Sequence, residues 1–132
     1  MKLLVSAMAA CTLFLAWCRG GSLVQHASSR AKALSNPLGN SEDAQRAGAK
    51  LYARECAACD GVHREGRGRV PPLNRPAVYQ AAPGVLFWIL RNGSLHTGMP
   101  SFAHLPEPER WQIITFLRQS GGPERNENGR SR

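Results

Sequence analysis

Strand signals are the first thing this 132-residue sequence lacks. Apolar and polar residues nowhere alternate convincingly with a period of two, which argues against a sheet-based fold. The βαβ setting that a thioredoxin-like dithiol needs is missing for the same reason. Long apolar runs are scarce too. The run Leu3–Trp17, at 15 residues, is short for a helix that spans a bilayer. Acidic residues are few, 9 against 17 Lys and Arg, for a formal net charge of +8. That charge is spread out, with +4 on residues 1–40, +3 on residues 41–121 and +1 on the rest. No basic stripe with interleaved aromatics is present, so no nucleic-acid partner is expected. The nearest cluster, Arg64, Arg67 and Arg69, lies in a Gly-rich segment. It reads either as a solvated loop or as a docking patch for an acidic protein.

The composition divides the chain unevenly. Residues 1–18 read as a signal peptide or membrane anchor, because Lys2 is followed by a mostly apolar run of secretory-signal length. Cys11, inside that run, reads as a small hydrophobe. Leu15-Ala16-Trp17-Cys18 is close to a lipoprotein signal, although Trp17 is bulkier than the small residue expected before an acylated cysteine. Lipid on Cys18, cleavage beyond it and an uncleaved anchor all stay open. Export implies an oxidising compartment, the bacterial periplasm. Residues 19–40 are rich in Gly, Ser, Ala and Asn without hydrophobic periodicity and read as a flexible linker. Residues 122–132 are polar and read as a disordered tail. The folding unit is 41–121, about 80 residues, a size at which one core usually needs a staple or a cofactor.

Three helices are expected there. Ser41 can cap the first, with Glu42 and Asp43 favouring its positive end. Ala44, Ala47, Gly48, Leu51 and Tyr52 then recur at helical spacing through about Cys56. Gly61 is a natural stop. The second helix starts at Pro83, carries Leu86, Ile89 and Leu90 on one face and ends at Asn92-Gly93. The third begins near Pro108, with Trp111, Ile114, Leu117 and Arg118 along a stripe, and stops at Gly121-Gly122. The fold class is all-α, with loops at 61–80 and 94–105. Loops this long in so small a domain suggest that something fills the middle.

Cys56 and Cys59 are three apart and would share a face of a helix, as would residue 60, four from Cys56. In c-type haem attachment two thiolates reach the vinyl groups and the following histidine points at the iron, in the pattern C-x-x-C-H. Here the pattern reads C-A-A-C-D, with Asp60 in the histidine's place.

The run CAACDGVHREGRGRVPPL is similar to the CAACHGxxGEGxxxxPPL stretch of bacterial class I monohaem cytochromes c. Leu90–Gly93 and Thr97–Phe102 resemble that family's segment bearing the distal methionine. Pro106–Leu117 is similar to its closing helix, and Gly48 and Tyr52 to its opening one. The resemblance covers about residues 41–121. It implies a small cytochrome c-like fold, three helices and long loops around one haem c. Cys56 and Cys59 would form the thioethers and Met99 would be the distal axial ligand. Its soft thioether favours ferrous iron. Pro71 or Pro72 would line the proximal side. Tyr79 and Trp88 would pack around the ring, or serve as ordinary core aromatics. The implied function is periplasmic electron transfer with other redox proteins, as a carrier or redox-chain subunit rather than a stand-alone enzyme.

Asp60 departs from the pattern. It is shorter than histidine, a hard donor poorly suited to ferrous iron, and costly to bury unpaired. Four outcomes stay open. Haem is attached with Met99 as its one strong axial ligand, leaving a five-coordinate site for small ligands. His63, four after Cys59, replaces the missing ligand. Haem is never attached, and the chain is a haemless interaction module, with or without a Cys56–Cys59 disulfide. Or Asp60 is a private substitution in a recent carrier, since His and Asp codons can differ by one base. A zinc or copper site from Cys56, Cys59, Asp60 and His63 has suitable ligand types. His96 is a competitor for the distal side or a solvated loop residue; His104 and His26 read as surface and linker.

Overall fold

The computed structural model of the chain describes residues 29–120. The expected signal or anchor, Cys11, Cys18, His26 and the polar tail lie outside these residues.

Within them the protein is helical. The helices are α1 (Ser29–Ala33), α2 (Glu42–Glu55), α3 (Ala57–Asp60), α4 (Pro76–Tyr79), α5 (Pro83–Asn92) and α6 (Glu107–Gln119). A 3-10 turn follows α5 at Leu95–Thr97. The three long ones, α2, α5 and α6, are the three expected from periodicity, and the all-α expectation holds. The only extended pairing among the described residues is an isolated bridge between Ser94 and Met99.

Local chemistry sets the boundaries. Ser41 Oγ accepts a hydrogen bond from the Ala44 amide at 3.3 Å and caps α2, with Glu42 and Asp43 in its first turn. Pro83 begins α5, and Gly93, with φ 69°, ends it. Pro106 precedes α6 and Glu107 opens it, one residue before the expected start. α2 ends at Cys56, which stays in the α region but with φ stretched to −116°, and Ala57–Asp60 forms its own turn, α3, rather than the tail of α2.

The core lies where α2 crosses α6, the most extensive helix–helix contact. Gly48 makes the crossing close. A Cβ there would stand 2.0 Å from the carbonyl oxygen of Gln112 and 2.9 Å from Cβ of Phe116. Leu51, Tyr52, Ile113, Ile114 and Leu117 fill the seam, and α5 adds Leu86, Phe87 and Leu90. Ile113 and Ile114 are fully buried, each worth about 1.5–3 kcal/mol relative to exposure. Phe87 stacks on Trp111 with centroids 4.3 Å apart and planes within 18°. Arg54 on α2 and Glu109 on α6 add an exposed ion pair at 3.6 Å, of small energetic weight.

The stretch expected to be linker enters the fold from Ser29. Ala31 on α1 is buried with Val85 in a second, smaller cluster, against which Trp88 and Ile89 pack. The Ala31 carbonyl lies against Gly84, and Asn36 Nδ2 donates to Thr115 Oγ1 on α6 at 2.8 Å. Five residues of helix are too few to show a hydrophobic period, which is why this segment was not legible as structure. The short α4 sits inside the expected 61–80 loop for the same reason.

Replacing Gly48 by alanine or valine should destabilise the protein by about 2–4 kcal/mol, because the added carbon meets backbone that cannot swing away. Urea unfolding measures this; a change below about 1 kcal/mol would contradict the crossing described.

Candidate functional site: the Cys56–Asp60 turn and the Met99 loop

The site begins with one helical turn. The amides of Cys59 and Asp60 both donate to the Cys56 carbonyl, at 3.1 and 2.9 Å, and Gly61 N donates to Ala57 at 3.1 Å. Cys56, Cys59 and Asp60 therefore hang from a single turn, as the spacing requires. The two thiols differ sharply. Cys56 is buried in the main core and Cys59 is exposed, and both are free. Burial pushes the Cys56 thiol up to about 12, with the neighbouring Asp60, Glu55 and Cys59 adding to the shift.

Gly61 ends the turn at φ 85°, a conformation that suits glycine. Its carbonyl accepts the buried Tyr52 hydroxyl at 2.7 Å, tying α3 back to α2. Burial, then the charge of Asp60, raises the Tyr52 phenol, which stays a donor at neutral pH. The chain then folds back over the turn. Gly66 N donates to the Asp60 carbonyl at 2.8 Å, and the Glu65 carboxylate accepts from His63 N at 2.8 Å. Its own amide and that of His63 hold Glu65 below the usual carboxylate range. Arg64 is the one non-glycine with positive φ among the described residues, at 62°. Its carbonyl accepts from Leu73 and Asn74, which brings the Pro-Pro-Leu segment beside α3. Its guanidinium lies 5.3 Å from the Phe116 ring, with Nη1 buried and unpartnered.

Asp60 is half-buried, and loss of solvent raises its carboxyl above the ordinary value. His63 does not extend the face that bears the cysteines. The helix stops at Gly61, and His63 is exposed in the following turn. Nor do the four side chains considered for zinc or copper come together: among the described residues no group of three or more His, Cys, Asp or Glu is placed to hold a metal ion.

Met99 comes from the opposite side of the sequence. It is half-buried and packs against the main core that contains Cys56. Its amide and carbonyl pair with those of Ser94, both at 2.9 Å, so the loop 94–99 closes on itself. Below it, Phe102 N donates to Leu90 at 3.0 Å and Ser101 Oγ to Arg91 at 2.6 Å, pinning the loop to the end of α5. The Ser94 hydroxyl is buried without a partner. His96 and His104 are exposed, the latter 5.9 Å from the Phe102 ring. Tyr79 is half-buried on α4, and Trp88 belongs to the smaller cluster under α1 rather than to the main core. Pro71 is exposed and Pro72 half-buried.

Two unpaired thiols on one turn, with a thioether packed against the same core, are the donor types of a c-type haem. Asp60 fits less well: a half-buried carboxyl that burial pushes toward its neutral form is a weaker donor to iron than an imidazole. One residue that periodicity did not single out is Arg110, buried on α6 and bonded into the Met99 loop. Its place among Ile113, Ile114 and Leu117, on the buried stripe of α6, was the available signal.

Helices of this order around a Cys-x-x-Cys turn and a methionine loop define a cytochrome c domain. Residues 43–117 match the family model described as cytochrome C oxidase, cbb3-type, subunit III, and the chain belongs to that family. A quinohemoprotein alcohol dehydrogenase, ADH-IIG of Pseudomonas putida, is 40% identical over 88 residues. These residues make up 64% of this chain but only 11% of that protein's length. No solved structure matches significantly. Among the described residues no helix is long and apolar enough to cross a membrane.

Two outcomes are expected of the chain when free of haem. At about pH 8 iodoacetamide should label Cys59 and spare Cys56 until the protein unfolds. Comparable labelling of both in peptide mass spectra would contradict the burial of Cys56. The second outcome concerns Asp60. Its folded-state pKa is raised, so the folded chain holds this proton more tightly than the unfolded one. The stability it contributes is full below the ordinary carboxylate range and is lost as pH rises through the folded value. Asp60→Asn should therefore have a higher Tm than the parent at pH 7, with the gap closing by about pH 3. A gap unchanged at low pH would rule out the charge as its cause.

Proposed function

We propose that the chain is an exported electron-transfer protein that holds one haem c through Cys56 and Cys59, with Met99 as its strong axial ligand. The observation that carries this reading is the pair of free thiols on a single turn, in a cytochrome c domain whose Met99 packs against the same core. The protein's part is to grip the group, exclude water from it and present an edge to a partner, while the haem supplies the one-electron chemistry. Partners are other redox proteins of the bacterial periplasm. Arg67 and Arg69, both exposed, give an acidic partner a surface to approach. Attachment to the membrane, by the N-terminus or by lipid on Cys18, belongs to the same reading. So does a role as carrier or redox-chain subunit rather than as a stand-alone enzyme.

Asp60 favours a second reading. A carboxyl that resists ionisation is a poor axial donor, and a five-coordinate haem would bind small ligands instead of relaying electrons. A haemless interaction module is the limiting form of the same observation.

The test is expression of the full chain with cytochrome c maturation genes, beside Asp60→His, and staining of a denaturing gel for covalent haem. Equal staining of the two chains is the expected result. Haem in the Asp60→His chain alone would overturn the haem reading of the native one. Where haem is present, the carrier reading expects low-spin spectra with a sulfur-to-iron band. High-spin spectra that shift with cyanide or carbon monoxide would favour the ligand-binding reading.

A further inference from the structure

Arg110 stands among apolar side chains at the start of α6, only 7% exposed. No carboxylate pairs with it among the described residues, and its Nε is buried without a partner. A buried guanidinium lacking a counter-ion is costly, and an aliphatic residue of similar volume is often no worse for stability at such a place. What an aliphatic residue could not do is donate. Nη1 of Arg110 donates to the carbonyl of Leu105 at 2.5 Å and of Ala103 at 3.2 Å, with Phe102 at the limit, 3.5 Å. Its planar head also lies 5.0 Å from the Phe87 ring, which α5 supplies and Trp111 stacks upon.

These carbonyls belong to the turn that follows Met99. Directly after Met99 the chain is already fixed to α5, by Phe102 N on Leu90 and by Ser101 Oγ on Arg91. The downstream side has its own 102–105 turn, closed by Leu105 N on Phe102 at 3.1 Å. Arg110 is the side chain that joins this turn to α6. All three contacts come from Nη1, and the planar head that carries it rests near the Phe87 ring, a placement that a lysine's flexible stem would not fix.

We infer that Arg110 is the positioning residue of the Met99 loop: it fixes the 102–105 turn to α6 and thereby sets where the Met99 thioether stands. The inference about the loop is independent of haem, whereas its bearing on a ligand rests on the proposed function.

Amide hydrogen exchange on the haem-free full chain tests the loop directly. In Arg110→Leu, amides from 99 to 105 should exchange at least about tenfold faster, while those in the α2–α6 seam keep their protection. Arg110→Lys should fall between the two. Unchanged exchange in the loop, or equal acceleration throughout the chain, would overturn the inference. The second arm uses the Asp60→His chain loaded with haem. Adding Arg110→Leu should weaken its sulfur-to-iron band, and imidazole should displace the thioether at about tenfold lower concentration. Faster local exchange with unaltered imidazole displacement would overturn the link to Met99. If Asp60→His takes up no haem, or shows no sulfur-to-iron band, the haem reading fails and the exchange result still decides the loop.

Discussion

Everything in this small domain hangs on the crossing of α2 and α6. Gly48 lets the backbones approach until nothing larger fits against the Gln112 carbonyl. The seam so formed buries Leu51 and Tyr52 on one side and Ile113, Ile114 and Leu117 on the other. The functional turn is an outgrowth of that seam. Tyr52, held in it, donates through its hydroxyl to Gly61, and that bond places the last residue of the Cys56–Asp60 turn relative to α2. The Met99 loop depends on the same seam from the other end, because Arg110 and Trp111 open the buried stripe of α6. Both halves of the candidate site are thus referred to one pair of helices.

The long helices were legible because each carries enough turns to show a period, and because Ser41, Pro83 and Gly93 mark their ends chemically. That Cys56, Cys59 and Asp60 sit on one helical turn was legible from spacing alone. What stayed hidden has two causes. The one-turn α4 is too short to show a period, and the strap 29–40 is fastened by contacts across the chain rather than by local preference. Asn36 finds Thr115, 79 residues away, and no neighbourhood pattern could say so. His63 shows the converse error. A four-residue offset suggests a shared helical face, but Gly61 turns the chain aside before the offset can apply. Trp88, read either as a ring-packing residue or as an ordinary core aromatic, packs in the smaller cluster under α1. Arg110 escaped notice because a cation on an apolar stripe is ordinarily read as solvent-facing.

Asp60 concentrates the chemical tension. The turn around it is well made: its amide and carbonyl are both bonded, to Cys56 and from Gly66. The backbone of the turn is thus fully bonded at residue 60, while the side chain there is a half-buried carboxyl. Burial penalises the carboxylate, and no ion pair relieves it among the described residues. The nearby Arg64 directs its guanidinium to the Phe116 ring instead.

The strap that precedes α2 carries a mechanical meaning. Any tension on the chain upstream of residue 29 is taken first by the seating of Ala31 on Gly84 and by the Asn36–Thr115 bond. Both contacts seat on α5 and α6 and neither touches the cysteine-bearing turn itself. The hydrogen bonds that shape the Cys56–Asp60 turn involve no residue of the strap, so strap and turn are held independently.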